Sequence, residues 1–421
     1  MSRRLLTALC CAGFAAPASA QSPEPPAYAI TNATVVPVTG PRLTGGTVII
    51  RRGRIEAVGA QLPVPADATR IDGTGLFVYP GIIDAGSRLG LTEIGSVPGG
   101  EDTQEIGDFN PHNEALTAVN PSSELIPVTR VNGLTTAITS ARGGLIQGWA
   151  ALIDLAGWTP DEMAVAPKAA MVMTYPSSGG GRGRGFRRGG AEGGADAASR
   201  QVRDLTQFLR DARDYNALST HDRTDLAFAA LGPALRGEVP VIFDVTSAAQ
   251  IRGVLALADS FKLKPILRGA TEAWMLADQL AQRSVPVIVG PMTQMPDGDD
   301  PYDALYAMPG VLAKAGVQIA FQSNDASDAR NLPYNAALAT AYGLDPDEAL
   351  KALTINPARM FGVADRIGSI EAGKVANLQV TTGDPLDVRT QVKHVFIRGQ
   401  LIAPTDRHTT LYERFRARPK P

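Results

Sequence analysis

Short β-branched runs open the chain. Ala29–Val38 and Gly46–Val58 are rich in Val, Ile and Thr and are broken by Gly and Pro, which predicts antiparallel strands. The far end reads the same way. Asn377–Val380 and His394–Ile402 are strand-like, with Gly383-Asp384-Pro385 as a loop between them. Two separate sheet domains or one composite domain would satisfy this pattern. Because chain termini commonly lie close together, the composite is favoured, built from 28–79 and 363–411.

Between these ends, apolar runs alternate with helical stretches. The strands are expected at Ile82-Ile83, Thr135–Ile138, Ala169–Met173, Val239–Phe243, Pro265–Leu267, Val285–Val289 and Val317–Phe321. Helices are expected at Ser199–Leu218, Ala248–Phe261, Thr271–Gln282, Tyr302–Lys314 and Leu332–Tyr342. That alternation predicts a parallel sheet with crossover helices, of α/β class. About seven such units fit a (β/α)₈ TIM-like barrel over 80–362 better than an open doubly wound sheet.

The first twenty residues do not fit the pattern. Arg3 and Arg4 precede an apolar run, Leu5 to Ala16, and Ala18-Ser19-Ala20 is a small-x-small cleavage site. A signal peptide over 1–20, cut after Ala20, is therefore expected, with a periplasmic or secreted product. Both cysteines, Cys10 and Cys11, lie within it, so the mature chain has neither disulfides nor thiolate metal sites. Cleavage removes two arginines and no acid, leaving 38 basic residues against 42 acidic ones. That balance gives no electrostatic reason to bind nucleic acid, and no later apolar run is long enough to span a membrane. A hydrophobic fraction of 44% is ordinary for a globular protein.

One segment cannot contribute to a packed core. Ser177–Gly194 carries nine glycines, with Arg182, Arg184, Arg187 and Arg188 among them. It is read as a flexible loop following the strand that ends at Tyr175, which would place it on the active face of a barrel.

Tyr79-Pro80-Gly81-Ile82-Ile83-Asp84-Ala85 resembles the first barrel strand of the amidohydrolase superfamily, which includes imidazolonepropionase and dihydroorotase. Ala349–Arg359, with its Asn-Pro-Ala element, and Ile367–Leu378, with Gly-Ser-Ile-Glu-Ala-Gly-Lys, agree with it in order. The resemblance implies a barrel whose chain returns to a small composite β-sandwich. It also implies hydrolysis of non-peptide carbon–nitrogen bonds in cyclic amides, ureides or small dipeptides. The family holds zinc or another divalent metal with His-x-His at strand 1, a carboxylated Lys or Glu at strand 4, His at strands 5 and 6, and Asp at strand 8.

Here those positions hold other residues. Gly86 and Arg88 stand where the two histidines would be, and no lysine lies in Met171–Tyr175. The strand-5 position is Asp244, the strand-6 position falls near Arg268, and the strand-8 position is Asn324 or Asp325. Guanidinium is permanently cationic and has no lone pair for a metal. The four histidines do not replace these ligands, although His112 follows strand 1 and could face the mouth. No bound metal or other cofactor is expected.

The polar residues left at the presumed strand ends are Asp84, Arg88, Glu93, Asp244, Arg268, Glu272 and Asp325. They could simply pair with one another, or Arg88 and Arg268 could clamp an anion. Two functions follow. In the first, the chain is a hydrolase of weak or metal-independent activity that uses Asp244, Asp325 or Glu93 as acid or base. In the second, it is a non-catalytic barrel that binds a small anionic ligand or pairs with an intact relative. The expected partner is a small-molecule ligand or substrate; a homo-oligomer remains open.

Overall fold

The computed structural model describes residues 26–97, 99–177, 192–294 and 300–419. The expected signal peptide and residues 178–191 of the Gly/Arg-rich segment lie outside them. Two sheets organise the chain. Both chain ends supply the first, through β1 (Tyr28–Val35), β2 (Leu43–Arg51), β3 (Arg54–Ala60), β4 (Thr69–Asp72) and β5 (Phe77–Pro80). The second takes β6 (Ile82–Ser87), β7 (Leu134–Thr139), β8 (Ile146–Asp154), β9 (Ala164–Thr174), β10 (Val241–Val245), β11 (Pro265–Gly269), β12 (Val287–Val289) and β13 (Ile319–Phe321). The chain then returns to the first sheet with β14 (Leu378–Thr381), β15 (Val392–Ile397) and β16 (Gln400–Ile402).

The first sheet runs β16-β15-β14-β5-β1-β2-β3, with β4 also paired to β1. Its seam between the two chain ends is the antiparallel pair β14–β5, in register from Leu378↔Pro80 to Thr381↔Phe77. Ile30, Val48, Ile50, Val78, Leu378 and Phe396 bury its apolar face. The sheet ends at Ile402. From Arg407 to Arg416 the chain is helical, capped by Asp406, whereas the sequence pattern had extended the β region to Leu411.

The second sheet is a nearly closed eight-stranded barrel in sequence order from β6 to β13. Its interior is filled by Ile83, Ile138, Leu152, Val172, Ile242 and Ile266, with Ile355 and Phe361 of the same cluster. One strand was not foreseen. Ile146–Asp154 is β8, buried along its whole length and antiparallel to both neighbours. No crossover helix is needed on either side of it, so the helix alternation gives no hint of its presence.

The two open edges, β6 and β13, meet without a ladder, and an aspartate helps to close the gap. Asp84 Oδ1 accepts the backbone N–H groups of Gly86 (3.0 Å) and Ser323 (3.1 Å), and Oδ2 accepts the Ser323 hydroxyl at 2.5 Å. The Asn324 N–H adds a bond to the Gly86 carbonyl at 2.8 Å. At the end of the barrel reached by β8, Asp154 ties barrel to sheet. It accepts Asn377 Nδ2 at 2.7 Å and Thr136 Oγ1 at 3.1 Å. Asn377 in turn accepts the Arg398 N–H at 2.8 Å. Among the described residues, no helix is long and apolar enough to cross a membrane.

Candidate active site

In parallel barrels the reactive face lies at the C-terminal ends of the strands. Here that face holds a cavity of about 460 Å³. Gly86 of β6 and Arg88 just after it, Ser140 and Arg142 after β7, Thr174 of β9, Asp244 of β10, Arg268 of β11, and Gln322 and Asn324 after β13 all line it. Gln250 lines it too, fixed in place by helix capping. Ser247 caps helix Ala248–Phe261 in a capping box with Gln250, whose Nε2 donates to the Tyr175 carbonyl at 2.7 Å.

Asp244 and Arg268 are register partners on adjacent parallel strands, with both side chains at the mouth. Arg268 Nε and Nη2 donate to the two Asp244 oxygens at 2.5 and 2.9 Å, and Nη1 donates to Ser140 Oγ at 2.9 Å. Arg268 is 8% exposed. Burial alone would depress its guanidinium, but the charge and hydrogen bonds of Asp244 more than reverse that and hold it above its ordinary value. Gln147 Nε2 also donates to Asp244 (3.0 Å) and to Thr174 (2.8 Å). Both Asp244 oxygens are thus engaged by charged or amide donors.

Arg88 is placed differently. Its Nη2 donates to Asn324 Oδ1 at 3.3 Å. Burial, followed by repulsion from Arg142, holds it below its ordinary value, with Arg268 repelling it as well. Arg142 pairs with Glu101 at 2.7 Å, and its Nε is buried without a partner. Arg268 therefore spends three of its five N–H donors inside the protein, and among the described residues Arg88 is the less committed of the two arginines expected to clamp an anion.

Gly86 sits against the far wall. A Cβ added there would stand 2.5 Å from Gln322 Oε1 and 3.5 Å from Arg268 Cδ, so the room a side chain would need is already taken. Gln322 is 2% exposed; its Nε2 donates to the Gly290 carbonyl at 2.8 Å, and its Oε1 has no partner.

Several sequence-selected residues do not reach the cavity. Glu93 is outside the lining and accepts Asn120 Nδ2 at 3.2 Å, because the chain after β6 turns away from the mouth. Asp325 Oδ1 is taken by the N–H groups of Ser327 and Asp328 at 2.6 and 2.9 Å, a local turn that leaves Asn324 as the lining residue. Glu272 accepts the Ala248 N–H at 2.7 Å. His112 is exposed and outside the lining. Asp84 is fully buried at the seam, where burial pushes its carboxyl up to about 7 against the hydrogen bonds from Ser323 and Gly86. Sequence reasoning missed Ser140, Arg142 and Gln322. Among the described residues, no three His, Cys, Asp or Glu side chains are grouped to hold a metal ion.

Comparison with known proteins agrees with this architecture. The model of the amidohydrolase family matches residues 303–402. Amidohydrolase tasK of Hapsidospora irregularis is 26% identical over 392 residues, which cover 84% of this chain and 39% of that one. The N-substituted formamide deformylase of Arthrobacter pascens is 42% identical over 79 residues, 17% of this chain and 15% of the deformylase. The chain thus spans well under half the length of these two relatives. A solved amidohydrolase from Thermotoga maritima is similar over most of the chain: 27% identity, TM-score 0.79, covering 89% of this chain and 99% of that one. The family-model match, these relatives and the solved structure support one assignment: this chain belongs to the amidohydrolase superfamily.

Proposed function

We propose that this chain is an exported hydrolase that acts on the carbon–nitrogen bond of a small amide, ureide or dipeptide, and that it works without a bound divalent metal. The observation that carries the site is the cavity of about 460 Å³ at the C-terminal strand ends. The relatives' names support the bond class: one is an amidohydrolase and one a deformylase of N-substituted formamides. Export is read from the charged start, apolar run and Ala18-Ser19-Ala20.

The family's metal does not fit the residues at this mouth. A zinc site needs three or four donors converging within bonding distance. Gly86 has no donor, and its side-chain space is filled by Gln322. Both oxygens of Asp244 face Arg268, and Asp84 is committed to three donors at the seam. Arg88 and Arg268 would repel a dication. What the chain offers instead is positioning in a polar cavity and fixed positive charge toward a developing oxyanion. Both Asp244 oxygens are engaged by Arg268, and a single carboxylate contributes roughly 10²–10⁴-fold at best. Turnover of stable amides is accordingly slow.

A second reading is favoured by that same pair. With both Asp244 oxygens engaged, the barrel could bind its ligand without converting it, alone or beside an intact relative. Hydrolysis of a panel of amides, ureides and dipeptides by the purified mature protein separates the two. Slow turnover in chelator supports the metal-free hydrolase. No turnover with or without zinc or manganese leaves the binding barrel, and turnover that appears only with added metal contradicts the metal-free account.

A further inference from the structure

The helix Arg407–Arg416 buries none of its side chains. Leu411, Tyr412 and Phe415 share one face by their spacing and are all exposed, which leaves an apolar stripe uncovered. The helix is held to the barrel by little: His408 meets Arg330, and the helix touches the short helix Leu125–Arg130.

Arginines border that stripe. Arg414 and Arg418 lie over the Phe415 ring at 6.0 and 4.2 Å, and Arg416 lies over Tyr412 at 5.6 Å. A guanidinium stacked on a ring keeps its in-plane N–H groups for a carboxylate. The nearby acids are spent, Asp406 on the helix cap and Glu413 on Arg416 at 2.7 Å. Among the described residues, Arg407, Arg414 and Arg418 pair with no carboxylate. The stripe thus carries surplus positive charge and calls for an acidic, partly apolar partner.

The same chain carries such a surface. Residues 101–108 hold Glu101, Asp102, Glu105 and Asp108 and no basic residue. Ile106, set between two of those acids, is 98% exposed, and Ile94 and Val97 of the same connection from β6 are exposed as well. Glu101 is spent on Arg142. Asp102, Glu105 and Asp108 are exposed and, among the described residues, have no cationic partner. Within one chain no ion pair among the described residues links this loop to the helix.

We propose that the loop 101–108 of one copy of this chain receives the helix Arg407–Arg416 of another. Ile106 enters beside Leu411 and Phe415, and the carboxylates of Asp102, Glu105 and Asp108 meet Arg407, Arg414 and Arg418. Because unlike surfaces meet, the contact runs head to tail or occurs twice about a two-fold axis. The receiving loop is fastened to the cavity wall by Arg142, whose backbone N–H donates to the Thr103 carbonyl and whose guanidinium donates to Glu101, both at 2.7 Å. A docked helix therefore stands at the edge of the mouth. The inference is independent of turnover.

Sedimentation of the purified chain over a range of concentrations tests it. The wild type is expected to self-associate at about 0.05 M salt, with a dissociation constant at least about tenfold higher at about 0.5 M. Arg414→Glu with Arg418→Glu should be monomeric over the same range, and so should Glu105→Lys with Asp108→Lys. Mixing these two variants should restore association, because each reversed surface then meets its complement. All four side chains are exposed, so the fold is not at stake. A wild type monomeric at low salt, association that survives either reversal, or variants that stay monomeric when mixed would each overturn the proposal. A monomeric wild type that binds phosphatidylglycerol vesicles would overturn it too, assigning the helix to a lipid surface.

Discussion

Arg268 and Asp244 face each other across adjacent parallel strands of the barrel, and the guanidinium holds both carboxylate oxygens, at 2.5 and 2.9 Å. The strand ends thus enclose an internal ion pair at positions where the resemblance places metal-binding histidines. The arginine side is 9% exposed and the aspartate side 32%. Removing one member strands a charge in a poor solvent, whereas removing both need not.

Asp244→Ala should therefore lower stability by about 3 kcal/mol, the scale for breaking a largely buried pair. The double change Asp244→Leu with Arg268→Met should recover most of that loss. Urea unfolding midpoints of the three proteins check it. A single mutant as stable as the wild type would show that solvent already screens the pair.

Gly86 is required by contact and not by backbone freedom. A Cβ there meets Gln322 Oε1 at 2.5 Å, so Gly86→Ala should cost about 1–3 kcal/mol through overpacking. Adding Gln322→Ala should relieve it. Thermal melts of the single and double variants decide the matter, and additive losses would contradict the contact.

Asp154 sets a pH dependence at the junction of barrel and sheet. Burial raises its carboxyl from 3.8 to about 6 despite the hydrogen bond from Asn377 and the charge of Arg398. Between those two values the folded chain binds more protons than the unfolded one. The Asp154 contribution therefore falls as pH rises from about 4 to about 6 and is level beyond. Asp154→Asn should flatten that fall. Melting temperatures at half-unit pH steps, wild type against variant, test it, and parallel curves would refute the assignment.

The legible parts of the fold were those with strong local signals. The alternation of apolar runs and helices placed seven barrel strands, and helix Ala248–Phe261 matches its pattern end to end because Ser247 and Gln250 cap it. β8 was missed because Gly148 interrupts its text and its pairing is antiparallel on both sides. Helix Leu226–Leu235 was missed as well; Gly232 and Pro233 lie within it.

At the site, the strand-end residues Arg88, Asp244 and Arg268 line the cavity. The loop residues do not, since their direction depends on contacts the sequence does not reveal. Glu93 goes with Asn120, and Asp325 is absorbed by the turn it starts. Gln322 carries no mark in the sequence. Its role comes from the meeting of the first and last strands, where Gly86 leaves room for it.

Metal content of the purified mature protein tests the central claim most directly. Elemental analysis after dialysis is predicted to find less than about one tenth of an equivalent of zinc, manganese or iron, given the shortage of converging donors. Chelator should leave the melting temperature unchanged, because nothing that binds the folded state would be removed. Near-stoichiometric metal that survives dialysis, together with a fall in melting temperature on chelation, would contradict the account.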